Sequence, residues 1–134
     1  MKKLIGLTIF ILIAAGGCGG GGDSFTDSLT LGMGMNTNNF TLTGETDTFT
    51  GTPQIYFRLE SAADMGGSTV ELEIEQQLLG GTTPMGTLTF PNPQSYGHIL
   101  MSSFTHTYGP GNFRVMGILV TGNNTVATTE YSVQ

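Results

Sequence analysis

The side chains of this sequence that could do chemistry are few: a single thiol at Cys18, imidazoles at His98 and His106, and alternating carboxylates at Glu71, Glu73 and Glu75. Alternate residues on one strand face stand about 7 Å apart. That is too wide for neighbouring glutamates to share a small cation without ligands from a second strand, and no Asp/Asn/Gly calcium loop accompanies them. The trio is expected to form a solvated sheet face whose charge resists edge pairing. The two histidines, on one expected strand, would lie about 27 Å apart at roughly 3.4 Å per residue, beyond any chelate. His106 is expected to close its strand beside the following Pro-Gly turn. No nucleophile elbow, zinc-protease helix, phosphate loop or Ser-His-Asp arrangement is readable, and the hydroxyls have no evident base. The inventory argues against an enzyme and requires neither a metal nor another cofactor.

Cys18 needs its surroundings to be understood. "MKKLIGLTIFILIAAGGC" has a basic start at Lys2 and Lys3, an apolar run from Leu4 to Ala15, and a small-residue cleavage zone at Ala15, Gly16 and Gly17. A dozen apolar residues would reach only about 18 Å as helix, at roughly 1.5 Å per residue. A hydrocarbon core of about 30 Å requires more, which argues against a permanent spanning helix. Cys18 directly after the zone resembles the lipobox of bacterial lipoproteins. The resemblance covers residues 1–18 and implies a diacylglycerol on the Cys18 thiol, cleavage just before it, and acylation of the new amine. Gly19 to Gly22 then serve as a flexible tether, extended in polar style to Ser28. The expected organisation is a signal peptide over 1–17, a lipidated cysteine and linker over 18–28, and one domain over 29–134.

Charge narrows the partners. The full chain has 4 Lys+Arg against 10 Asp+Glu, a formal −6. Cleavage would leave Arg58 and Arg114 as the basic side chains against ten carboxylates, a formal −8. Two arginines make no basic patch, which excludes nucleic acid as a partner and electrostatic adsorption to anionic lipid. Membrane attachment would depend on the acyl chains.

The elements that position these residues repeat with a period of two. "TVELEIEQQ" sets Val70, Leu72 and Ile74 against the glutamates, "SLTLGMGM" alternates from Leu29 to Met35, and "QIYFRLES" alternates Ile55, Phe57 and Leu59 against Tyr56, Arg58 and Glu60. Further strands are expected at Phe40–Thr43, Thr87–Phe90, Ile99–Thr107, Asn112–Val120 and Val126–Val133, separated by Gly, Pro and Asn clusters. About seven or eight short strands predict an all-β, Ig-like antiparallel β-sandwich. A hairpin between residues 54–61 and 69–77 would set Arg58 opposite Glu73. With Phe113, Val115 and Leu119 inward, Met116, Ile118 and Val120 form an outward apolar stripe, the candidate surface for a protein partner or a second copy.

"FTHTYGPGNFRVMGILVTGNNTVATTEYSV", Phe104 to Val133, resembles the C-terminal half of PKD-type immunoglobulin-like domains. The matching residues are His106, Thr107, Tyr108, Pro110, Gly111, Asn112, Phe113, Arg114 and Val115. The resemblance implies a strand, a Pro-Gly turn, a second strand and a closing hairpin. Phe113 stands where the family has Tyr, so the family's corner hydrogen bond from that phenol is not expected.

Together these features describe a lipid-anchored module of the bacterial cell envelope with a non-enzymatic interaction or structural role. Gly19 after the cysteine favours the outer membrane in the enteric sorting pattern, which retains Asp at that place in the inner membrane. Two alternatives remain: a carbohydrate-binding module using Tyr56, Tyr96, Tyr108 or Tyr131 as platforms, and an accessory subunit or inhibitor of an envelope enzyme.

Overall fold

The computed structural model describes residues 24–66, 68–90 and 97–134. Nine strands follow in order: β1 (Ser28–Asn36), β2 (Thr41–Glu45), β3 (Thr48–Phe49), β4 (Gln54–Glu60), β5 (Val70–Leu78), β6 (Gly81–Phe90), β7 (Ile99–Thr105), β8 (Gly111–Leu119) and β9 (Asn124–Val133). They form two sheets, β2-β1-β4-β7 and β3-β9-β8-β5-β6. All pairs are antiparallel except the short β3–β9 contact. β1, β4 and β7 occupy the places of strands A, B and E of an immunoglobulin-like sandwich. β9, β8, β5 and β6 occupy those of G, F, C and C′. The protein is an all-β, Ig-like sandwich.

Alternation produces the core. Val70, Leu72 and Ile74 of β5 and Phe113 and Val115 of β8 face Ile55, Phe57 and Leu59 of β4 and Leu29 and Leu31 of β1, all buried. Gly117 belongs to this inward row, and an added Cβ there would lie 2.8 Å from Leu59 Cδ1. The missing side chain leaves room for Leu59 and lets the layers approach. The connection from β4 to β5 adds Met65, buried in the same cluster and tied by its N–H to Gly97 O at 2.8 Å.

That connection corrects one expectation. β4 and β5 do not form a hairpin: β4 pairs with β1 and β7, whereas β5 pairs with β6 and β8 in the opposite sheet. Arg58 is therefore not opposite Glu73, which faces Thr87 and Met116 across its own sheet. Hairpin loops usually have about two to five residues. The longer link here crosses between layers and plugs the core on the way. β6 also begins earlier than expected. Its first residues read as a turn because of Gly81 and Pro84, but β6 is an edge strand, where a residue without N–H is tolerated.

The N-terminal segment is fastened to the four-stranded sheet. Phe25 stacks on His98 with ring centroids 4.1 Å apart, Thr26 N–H donates to Glu60 Oε2 at 2.8 Å, and Asp27 Oδ1 accepts from Ala62 N–H at 2.7 Å. The polar stretch read as more tether thus docks at its described end. Residues 1–23, with Cys18 and the tether glycines, lie outside the described residues, as does Tyr96.

Candidate interaction site

The outer face of the five-stranded sheet carries the expected glutamates. Glu71, Glu73 and Glu75 are half-buried and face Ile118, Met116 and Arg114 of β8 in register. Arg114 Nη2 donates to Glu75 Oε1 at 2.6 Å. Among the described residues no group of three His, Cys, Asp or Glu side chains is placed to hold a metal ion. No helix among them is long and apolar enough to cross a membrane.

The stripe Met116, Ile118 and Val120 is on this face but is interrupted. Ile118 stands opposite Glu71 and Thr125 and is only 6% exposed, outside the core cluster. Met116 is half-buried between Glu73 and Thr128, and Val120 alone is openly exposed, at 45%. Neighbouring side chains therefore cover most of the apolar surface that alternation assigns to solvent.

The histidines have separate structural posts. His98 Nδ1–H donates to Ser61 O at 3.0 Å beneath Phe25. His106 is fully buried at the turn between β7 and β8, and its Nε2–H donates to Gly109 O at 2.8 Å. In that tautomer Nδ1 accepts from the Tyr131 hydroxyl at 3.1 Å. Phe113, the register partner of Tyr131, stacks on it with centroids 5.5 Å apart. A phenol thus does serve this corner, supplied one strand over by β9. Burial, and secondarily the charge of a nearby Tyr108 phenolate, push Tyr131 well above the usual tyrosine range. As sugar platforms the tyrosines are poorly placed: Tyr131 is buried, and Tyr108 packs edge-on against His106 with centroids 5.3 Å apart.

The most exposed apolar side chain among the described residues, Leu79, lies elsewhere, at the tip of the β5–β6 hairpin; Met33 on β1 follows at 62%. Leu78 pairs with Gly81, leaving Leu79 and Gly80 as a two-residue turn. Leu79 is fully exposed and Leu78 is 55% exposed. A shallow groove of about 610 Å³ opens beside them, lined by Asp47, Gln77, Asn112, Glu130 and Ser132. Gln77 Nε2 donates to Glu130 Oε2 at 3.1 Å across it. Sequence reading placed a turn here but did not single out the leucines, because apolar pairs beside a strand pattern read as core.

Strand directions locate this tip. Val70, where β5 starts, pairs with Leu119 and Phe90, at the end of the sandwich where β4 leads into β5. Ser28, paired with Glu60, is at that same end. Leu78 is at the other end, eight residues along β5, about 26 Å away at roughly 3.3 Å per residue. The tip points away from the side on which the chain enters.

No family model matches the chain, and no curated protein matches it. Among solved structures, it is similar to the crystal structure of the PmoD soluble domain from Methylocystis sp. ATCC 49242 (Rockwell). The TM-score is 0.45 and the identity 18%, over 79% of this chain and 89% of that one. At that score the likeness carries no inference about activity.

Proposed function

We propose that this chain is a non-enzymatic, lipid-anchored module of the bacterial cell envelope that docks a protein partner at its distal end. The observation that carries this reading is the exposed pair Leu78 and Leu79 on the end of the sandwich away from the entering chain. A bilayer holding acylated Cys18 would sit beyond the docked Phe25–Asp27 segment, so the leucines would face outward from it. The carboxylate of Glu130 beside them favours a partner segment that combines apolar with basic side chains. A formal −8 repels anionic lipid headgroups and makes a second membrane a poor target for the tip. Gly19 after the cysteine favours the outer membrane as the site of anchoring.

The test isolates the full-length chain from its own envelope. Intact mass is expected to show diacyl and amine-acyl groups on an N-terminal Cys18. Proteins co-isolated with the wild type are expected to be lost with Leu78→Ser/Leu79→Ser, whose melting temperature should match the wild type. An unmodified thiol, or a different first residue, overturns the anchor. Undiminished partner recovery with the double variant overturns the docking tip.

A further inference from the structure

Edges of sheets are normally guarded, because an unpaired row of N–H and C=O groups invites another strand. Among the described residues, two of the four sheet edges here show a guard: β2 carries Glu45 and β3 has only two residues. Of the other two, β7 has seven residues with Leu100, Met101 and Phe104 buried, and β6 is the longer and the more exposed. It is ten residues long, has β5 on one side and no described strand on the other, and contains no charged residue. Its inward-facing side chains Met85, Leu88 and Phe90 touch the core yet are only partly buried. Among the described residues, the sandwich is thus left unpaired along this edge.

Pro84 has no amide proton and bounds the opening on one side. Beyond it, the described residues of the strand open to strand addition are Met85–Phe90. We infer that this window pairs antiparallel with the same window of a second copy of the chain. The residues are self-complementary in a two-fold arrangement centred on Leu88. Thr87 of each copy faces Thr89 of the other, a favourable cross-strand pair, and Phe90 faces Gly86. A Cβ at Gly86 would collide with the Tyr108 hydroxyl, so this glycine leaves room for Tyr108 over the end of the window. Charge selects the same contact. On a molecule with ten carboxylates and few cations, the uncharged window lets two copies meet without placing like charges in contact.

The test is the oligomeric state of the full-length chain in detergent micelles, measured by sedimentation over a concentration series. The wild type is expected to form a dimer that dissociates on dilution, because the paired window is short. Thr87→Lys/Thr89→Lys is expected to be monomeric throughout with an unchanged melting temperature. Each new lysine would face Glu73 or Glu71 of β5 within its own chain, so the monomer gains rather than loses a contact. Leu78→Ser/Leu79→Ser should dimerise like the wild type, which separates this edge from the docking tip. As a second measurement, Thr87→Cys and Thr89→Cys copies, each also Cys18→Ser, are mixed and oxidised. The mixture should form a disulfide dimer in higher yield than either copy alone. A wild type that stays monomeric, a dimer indifferent to the lysines, or equal cross-linking in all three samples overturns the inference.

Discussion

The two arginines of the domain each hold a glutamate at nearly the same distance, in opposite surroundings. Arg58 Nη1 meets Glu60 Oε1 at 2.7 Å on the outer face of the four-stranded sheet, with side chains 9% and 2% exposed. Arg114 Nη2 meets Glu75 Oε1 at 2.6 Å on the outer face of the five-stranded sheet, with side chains 34% and 19% exposed. The first pair is enclosed. Phe40 O accepts from Arg58 Nε at 2.7 Å, and Thr26 N–H closes the second carboxylate oxygen. Phe40 has a φ of 58°, a costly conformation for a bulky residue, which the hairpin between β1 and β2 holds in place. The second pair is partly exposed, and Arg114 Nε is buried without a hydrogen-bond partner. Contact distance is equal, so burial and completeness of the hydrogen bonds decide what each pair contributes.

The largest effect should follow from breaking the enclosed pair. Arg58→Ala leaves the Glu60 carboxylate buried without its counter-charge and is expected to cost about 3–5 kcal/mol in urea unfolding. It should also release residues 25–27, read as faster amide exchange at Thr26. The double variant Arg58→Met/Glu60→Leu removes both charges and keeps volume, so it should recover most of the loss or exceed the wild type by about 1–4 kcal/mol. A single variant costing under about 1 kcal/mol would make the two ion pairs equivalent and end the distinction.

A buried polar contact without net charge should fall between the two pairs. Tyr131→Phe leaves His106 Nδ1 buried without its donor, at an expected cost of about 1–3 kcal/mol near neutral pH. The pH dependence has a definite sign. The folded-state Tyr131 value is raised by burial, so the folded chain keeps a proton that the unfolded chain releases near pH of about 10. This contribution is complete below that pH and is lost as pH rises through the folded value. Melting temperatures from pH 8 to 11 should decline less steeply above about pH 10 in Tyr131→Phe than in the wild type. Equal slopes would remove Tyr131 from the account.

These residues also mark how much the sequence can say. The inward row Val70, Leu72 and Ile74 is legible because alternation is local and β-sheet side chains obey it strictly. Arg58 and Glu60 share the outward phase of β4, and that too is legible. Their burial is not, since the covering groups come from Thr26 and Phe40, which only the fold brings over β4. The same limit produced the false hairpin: neighbouring strands in sequence were paired, while Met65, a buried side chain in the connecting loop, carries the chain across to the other sheet. Ile118 shows the same limit. Its outward phase is legible, but its burial is not, since its register neighbours Glu71 and Thr125 come from the two flanking strands. The exposed Leu79 escaped notice because composition marks leucine as core, and only a two-residue turn leaves it no core to join.

The smallest effect belongs to the open pair. Glu75→Gln removes one charge and keeps the side-chain length, so Arg114 retains a neutral acceptor in place of the carboxylate. Water reaches both groups, and the expected loss is about 0.2–1 kcal/mol. High salt supplies a control that the enclosed pair lacks. At about 1 M ionic strength the screening length falls to roughly 3 Å, so the difference between wild type and Glu75→Gln should shrink toward zero. The same salt should leave the Arg58→Ala deficit largely intact, because ions do not enter the covered face. If salt reduced both deficits alike, Phe40 and Thr26 would not be excluding solvent from Glu60, and the asymmetry between the two sheet faces would have to rest on something other than burial.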